Sequence, residues 1–376
     1  MINFVSNLSS DIRTGGFTAR NAAALGALRK VEELFYVGPV DPPIILAQKV
    51  ASKALRLSGL PGDFYFFSRR RLETIAQEVQ ARCRPDARLD FFHGFTPWIL
   101  TCPPRPYVAW NDCTFHDYIN IYHRREEFRA ADLARIEEAE AVWLKRAQRV
   151  ILRSEWGAKR AIDRYGLDPG RVASVGNFGE IDPPPKDVYA GGRQFVFMST
   201  NFEAKGGPVV LDALRQVRKR HQDASLAVVG DRPAAARDEP GVAFLGLLRK
   251  EVPVEAKRLR QVLGGARALV HPTKSDTNPA TLVEAGYFGC PVIASRSFAI
   301  PEVVDDGRTG LLLDHPSQPD AVAAAMVWML EQDEAYVDMR RAAWSKTRRH
   351  HTKAQFEEDL VACVEEVFVE RVVRAP

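Results

Sequence analysis

The chain has 376 residues, enough for two domains with separate cores. Hydrophobic residues make up 46% and charged residues 27%, the balance of an ordinary soluble globular protein. The formal net charge of +4 is too small to make nucleic acid the main partner.

Ile2 to Ser6 reads as a buried strand, and the loop Thr14-Gly15-Gly16-Phe17 leads into an Ala-rich helix over Thr18 to Lys30. A strand at Leu34 to Val37 is followed by an amphipathic helix from Ala47 to Leu57 carrying Lys49, Lys53 and Arg56. The aromatic run Phe64 to Phe67 reads as strand, and Leu72 to Arg82 as helix. Strands are expected at Leu89 to His93, Tyr107 to Trp110, Arg149 to Arg153 and Val172 to Val175. Leu133 to Gln148 has helical spacing, and Ser154 suits the N-cap of a helix reaching Tyr165. This alternation of strand and helix is that of a parallel α/β sheet.

Asp182-Pro183-Pro184-Pro185-Lys186 breaks the pattern, because three prolines disfavour helix and sheet and stiffen a connector. The alternation then restarts. Strands are expected at Phe195 to Met198, Ser225 to Val229 and Val242 to Leu245, with helices over Pro208 to Arg220 and Val254 to Leu263. The boundaries read as a first domain 1–182, a hinge 183–193, a second domain 194–353 and a final helical segment 354–376. Two doubly wound domains are the simplest account, with ligands at the carboxyl ends of strands.

The five cysteines (Cys83, Cys102, Cys113, Cys290, Cys363) are scattered and show no CxxC spacing. They argue for a reducing compartment and against a disulfide framework or zinc site. Met1 to Asn7 lacks the basic n-region of a signal peptide, and no segment has the ~20 apolar residues that span a bilayer. A cytoplasmic protein is expected. Lys49, Lys53, Arg56 and Arg69-Arg70-Arg71 form either a solvated basic face or a peripheral membrane contact. Arg340, Arg341, Lys346, Arg348 and Arg349 read as solvated helix positions.

The chemistry concentrates between His271 and Gly310. The apolar run Ala268 to Val270 suits a buried strand, which Pro272 ends. A polar loop, Thr273 to Asn278, precedes Pro279, which fits a helix start, and Gly289 fits the cap that ends the helix Ala280 to Phe288. A strand-loop-helix junction of this kind presents backbone N–H groups at a positive helix end and suits a diphosphate. Asp276 lies in the loop, and Glu284 sits about a turn inside the helix. Taken singly, Asp276 reads as a turn residue and Glu284 as a solvated helix residue.

Taken together, the Asp276 and Glu284 spacing, the strand at 291–295, the Pro301-Glu302 turn and Thr309-Gly310 resemble the donor site of retaining GT-B glycosyltransferases of family 4. The family's pattern is acid, seven residues, Glu. Asp276 stands where the family usually has Glu. The resemblance implies two Rossmann-like domains facing each other across a cleft, with the last helix crossing back to the first domain. It implies transfer of a sugar from a nucleoside diphosphate to a hydroxyl of a glycan or lipid-linked acceptor, with retention, in cell-surface polysaccharide synthesis. No cofactor and no protein metal site are implied. Asp276 would face the transferred sugar and Glu284 the ribose, with Thr277 and Asn278 in the donor loop. Lys205, before Gly206-Gly207, matches the family's phosphate-gripping lysine, and Thr200 stands where its arginine would be. Gly246 and Leu247 would face the base. Gly15 and Gly16 would let the backbone approach a phosphate or acceptor, although an ordinary turn explains them as well; they form no GxGxxG motif. Asp112 matches the second member of a His-Asp pair, with Asn111 in place of His, and His93 would supply the missing imidazole. Glu302 would brace the donor loop. A nucleotide-sugar epimerase or phosphorylase of the same fold, and a non-catalytic nucleotide- or glycan-binding subunit, stay open.

Overall fold

The computed structural model describes residues 1–12, 15–232 and 238–374, with side chains through 369. Thr14, which opens the expected glycine loop, lies outside the described residues. The chain divides into two compact units, Met1–Gly176 with Phe356–Pro376, and Asn177–Gln355. The first boundary thus precedes the triple proline, which belongs to the second unit.

In chain order the first unit contains β1 (Ile2–Val5), α1 (Phe17–Leu28), β2 (Leu34–Val37), α2 (Leu46–Leu57), α3 (Arg69–Arg82), β3 (Leu89–His93), β4 (Tyr107–Asn111), α4 (Phe115–Tyr122), α5 (Ala130–Arg146), β5 (Arg149–Leu152), α6 (Glu155–Tyr165) and β6 (Val172–Ser174). Its six strands form a parallel sheet in the order β2-β1-β3-β4-β5-β6. β1 and β3 are buried along their whole length, as expected of strands covered on both faces. The polar residues they bury are paired: Asn3 Nδ2 donates to Asp90 Oδ1 at 2.8 Å. Ser154 caps α6, its Oγ accepting from Gly157 N.

The second unit contains β7 (Gln194–Ser199), α7 (Gly207–Arg218), β8 (Ser225–Gly230), β9 (Val242–Gly246), α8 (Pro253–Gly265), β10 (Ala266–His271), α9 (Ala280–Tyr287), β11 (Val292–Ser295), α10 (Ile300–Val303), β12 (Gly310–Leu313), α11 (Pro319–Glu331) and α12 (Asp333–His350). Its parallel sheet runs β12-β11-β10-β7-β8-β9. The last helix, α13 (Lys353–Arg374), packs on the first unit. There Phe356 meets the Trp110 ring at 5.6 Å, and Arg149 pairs with Glu366 at 2.5 Å.

Three expectations need correction. Phe64 to Phe67 is not a strand. It turns as a short 3-10 helix over Tyr65–Phe67, because its rings find better partners in a cluster than in a sheet. Phe64 packs against Phe67, Phe115 and Phe128 with ring centroids 5.0–5.8 Å apart. Arg71 is no part of a basic face, since it is buried against Asp41 Oδ1, Pro42 O and Phe66 O. Arg340 is not solvated either. It is buried over the Tyr189 ring and grips both oxygens of Asp187 at 2.5 and 2.7 Å. This fork holds Asp187 down at a pKa of about 2.

Candidate active site

In the second unit the sheet order reverses between β7 and β10. The loops leaving these two strands therefore diverge to opposite sides and open a crevice at their carboxyl ends. The first loop carries Lys205 and the second carries Asp276. Lys205 Nζ lies 2.8 Å from Asp276 Oδ2 and donates to Ser275 O at 2.5 Å. His271, the last residue of β10, brings Nε2 to 3.4 Å from the same Asp276 oxygen. Burial pushes the Asp276 carboxyl up, but His271 and Lys205 outweigh it and hold its pKa below the ordinary value. Gly206 makes this approach possible. Its φ is +88°, and a Cβ there would stand 2.8 Å from Pro272 O.

Thr277 and Asn278 are both buried in the same loop. Thr277 O accepts from Ala299 N at 3.0 Å, and Asn278 accepts from Asn177 Nδ2 through O and Oδ1 at 2.9 and 2.8 Å. Glu284, one turn into α9, is fully buried, which removes the solvated reading. Its Oε1 accepts from Glu180 N at 2.8 Å and Lys250 Nζ at 2.5 Å. Its Oε2 is buried with no hydrogen-bond partner among the described residues. Gly179 lets the 177–181 segment lie across this helix, since a Cβ there would sit 2.9 Å from Glu284 Cγ. Burial disfavours the Lys250 ammonium, but Glu284 and Glu180 more than offset this and raise its pKa. Gly246 ends β9 at φ +71°, and Leu247 is exposed. Glu302 lies in the short helix α10.

The first unit gathers the other expected residues around the carboxyl ends of β1, β3 and β4. Asp112 lines a cavity of about 340 Å³ there, its Oδ2 held by Arg153 Nη2 at 2.9 Å. Gly15 and Gly16 form the turn before α1, and Gly15 O accepts from Thr18 N and Oγ1. His93 does not offer an imidazole to this cavity. Its ring is buried between Phe17 and Trp110, with centroids 5.4 and 4.5 Å away, and its Nδ1 lies 2.8 Å from Asn21 Oδ1. Burial, aided by the Arg153 charge, drives its pKa down to about 3, so the ring is neutral. Among the described residues no group of three His, Cys, Asp or Glu could hold a metal ion, and no helix is long and apolar enough to cross a membrane.

Sequence reasoning missed Lys250 and Glu180. Lys250 follows Gly246 in the charged run Arg249-Lys250-Glu251, which has the composition of a surface turn. Its bond to Glu284 spans 34 positions, so local pattern carries no trace of it.

Two parallel Rossmann-like sheets, each with its crevice at a strand-order reversal, define the GT-B fold. Solved GT-B structures superpose on nearly the whole chain. The Anabaena protein HepE in complex with UDP covers 97% of this chain and 99% of its own at TM-score 0.66 and 16% identity. The α,α-trehalose 6-phosphate synthase of Burkholderia multivorans covers 100% and 98% at TM-score 0.67 and 12% identity. In sequence, residues 192–332 match the family Glycosyl transferases group 1, and the chain is similar to members of that family. It is 30% identical over 192 residues to the GDP-mannose-dependent alpha-(1-6)-phosphatidylinositol monomannoside mannosyltransferase of Mycolicibacterium smegmatis, covering 48% of this chain and 46% of that one. It is 30% identical over 173 residues to the D-rhamnosyltransferase WbpZ of Pseudomonas aeruginosa, covering 43% and 42%. The chain thus spans about half the length of the curated relatives it matches.

Proposed function

We propose that this chain transfers a sugar from a nucleoside diphosphate to a hydroxyl of a glycan or lipid-linked glycan, with retention at the anomeric carbon. The observation that carries this reading is the cluster at the β7–β10 reversal: Lys205 on Asp276, and Glu284 with one buried oxygen unshared. A ribose hydroxyl would satisfy Glu284 Oε2. The diphosphate would lie at the start of α9, where the helix end favours negative charge. Lys205 would leave Asp276 to balance charge developing on the leaving diphosphate. Asp276 would then be released toward the transferred sugar. No resident cofactor is needed for these steps. Two relatives name mannosyl and rhamnosyl transfer, one onto a phosphatidylinositol mannoside, which supports a hexosyl donor and a cell-surface glycan acceptor here.

Peripheral membrane contact belongs to the same reading. On α2 only Ser52 is buried, while Leu46, Val50 and Leu57 are exposed beside Lys53. An apolar stripe with a basic flank suits an anionic lipid surface.

The test is release of nucleoside diphosphate from UDP-glucose, GDP-mannose, ADP-glucose and dTDP-rhamnose with a panel of glycan and lipid-extract acceptors. One donor should be consumed, and Asp276→Asn should slow turnover by ~10²–10³, the scale of losing one electrostatic partner of the transition state. Proton NMR of the product should show the donor's anomeric configuration. Nucleotide binding without turnover on any acceptor would instead favour a non-catalytic binding subunit.

A further inference from the structure

We propose that Lys250 makes the donor site read one ribose hydroxyl rather than the pair, so that a nucleoside diphosphate lacking the other hydroxyl still binds. This deepens the donor reading and rests on it.

A carboxylate with both oxygens free can accept a diol, one hydroxyl on each oxygen. Glu284 does not offer that arrangement. Its Oε1 already accepts two hydrogen bonds, from Glu180 N at 2.8 Å and Lys250 Nζ at 2.5 Å, as many as its lone pairs allow. Its Oε2 is buried with no hydrogen-bond partner among the described residues. An oxygen so enclosed leaves room for one incoming hydroxyl.

Both donors on Oε1 are fastened in place. Lys250 Nζ also lies 3.2 Å from Glu180 Oε2, and the Glu180 and Glu284 side chains are only 6% and 0% exposed. Moving the ammonium away would strip two buried carboxylates of their shared cation, which is strongly unfavourable, so Lys250 stays on Oε1 when a nucleotide arrives. The turn that presents Lys250 is pinned as well: Arg249 N donates to Glu255 Oε2 at 2.6 Å, and Arg249 Nε lies 3.0 Å from each Glu255 oxygen. Glu180 N cannot back off, because Gly179 N donates to Tyr287 Oη at 3.0 Å, on the same helix as Glu284.

The second ribose hydroxyl is left with a neutral partner at best. Thr281 Oγ1, one turn before Glu284 on α9, is buried and has no hydrogen-bond partner among the described residues. A hydrogen bond to an ionised group is roughly twice as strong as one between neutral groups. Loss of the hydroxyl on Glu284 therefore weakens binding more than loss of the other.

The full chain should be titrated calorimetrically with the diphosphates of uridine, guanosine, adenosine and ribothymidine, each beside its 2′-deoxy and 3′-deoxy forms, dTDP among them. For the base that binds, one deoxy form should lose about tenfold or more in affinity and the other no more than about threefold. A loss on the 3′-deoxy form alone admits deoxyribonucleotide donors, and a loss on the 2′-deoxy form alone restricts the site to ribonucleotides; either supports the single-hydroxyl reading. Lys250→Met frees Oε1 for the second hydroxyl, so the two losses should draw level while the parent nucleotide still binds. A merely structural role for Lys250 would weaken all three forms alike. If Lys250→Met does not fold, the wild-type comparison decides alone. The proposal is overturned if wild type loses equally on both deoxy forms, if it loses on neither, or if folded Lys250→Met keeps the wild-type inequality. Failure of the donor reading looks different: no nucleoside diphosphate binds in any form.

Discussion

Asp276 is held in its charged form by two neighbours, His271 at the end of β10 and Lys205 in the loop after β7. Its folded pKa is depressed, so it adds stability at pH values above the ordinary Asp range and loses it as pH falls through the folded value. Asp276→Asn should therefore be less stable than wild type at pH 7, and the two should converge only in strong acid, below the depressed folded value. Denaturant midpoints under both conditions check this; a gap that persists in strong acid would contradict it. His93 acts on a higher window. It stays neutral when folded but protonates near pH 6.5 when unfolded, so it costs stability as pH falls from 6.5 toward about 3. His93→Phe keeps the ring between Phe17 and Trp110 and should flatten that acid limb, leaving the shares of His351 and His123, whose pKa values burial also lowers, set against Glu140, whose carboxyl burial raises to about 7. An unchanged slope in urea melts between pH 6.5 and 4 would show that His93 is not buried as described. Lys205, Asp276 and Glu284 stand out in the sequence because each belongs to a short local pattern, two in loops and one on α9. Their partners do not, because Lys250 and Glu180 reach Glu284 from distant segments.

Among elements, the strands were the most legible. β2 and β3 stand at the expected residues, since short apolar runs bounded by turn residues have few alternatives in a parallel sheet. The aromatic run at 64–67 has the same local signal and a different outcome, decided by Phe115 and Phe128, which lie far along the chain. The turn into α7 depends on Gly206. Gly206→Ala meets both a left-handed φ and the Pro272 carbonyl, and should cost about 1–3 kcal/mol by denaturant titration, with weaker nucleotide binding as Lys205 shifts. Equal stability and binding would remove the close approach from the account. α2 is the least covered helix of the first unit. Leu57, 91% exposed, should matter for lipid and not for folding. Leu57→Glu should keep the melting temperature and lose severalfold in co-sedimentation with phosphatidylglycerol vesicles, and wild-type binding should fall with salt. No wild-type binding at low salt would rule out the membrane contact.

For the molecule as a whole, the strand–helix alternation and its restart after the prolines pointed to two α/β units. The boundary at Gly176 was less legible, because Asn177 to Asp187 bonds to Asn278, Glu284 and Arg340, none of them near in sequence. The cavity beside Asp112 was invisible for the same reason, as its six aromatic rings come from four segments, Phe17, Phe67, Phe95 and three on α4. The central claim is that the second unit is a nucleoside diphosphate site. It is tested most directly by melting wild type, Glu284→Ala and Lys205→Ala with UDP, GDP, ADP, CMP and dTDP. A ligand at a hundred times its Kd adds ~2.7 kcal/mol, and each kcal/mol raises the melting point of a unit this size by ~2–4 °C. One nucleotide should raise the wild-type melting temperature and leave both variants, themselves folded, unmoved. If no nucleotide shifts wild type, or the variants shift equally, the donor site is not where Glu284 and Lys205 place it.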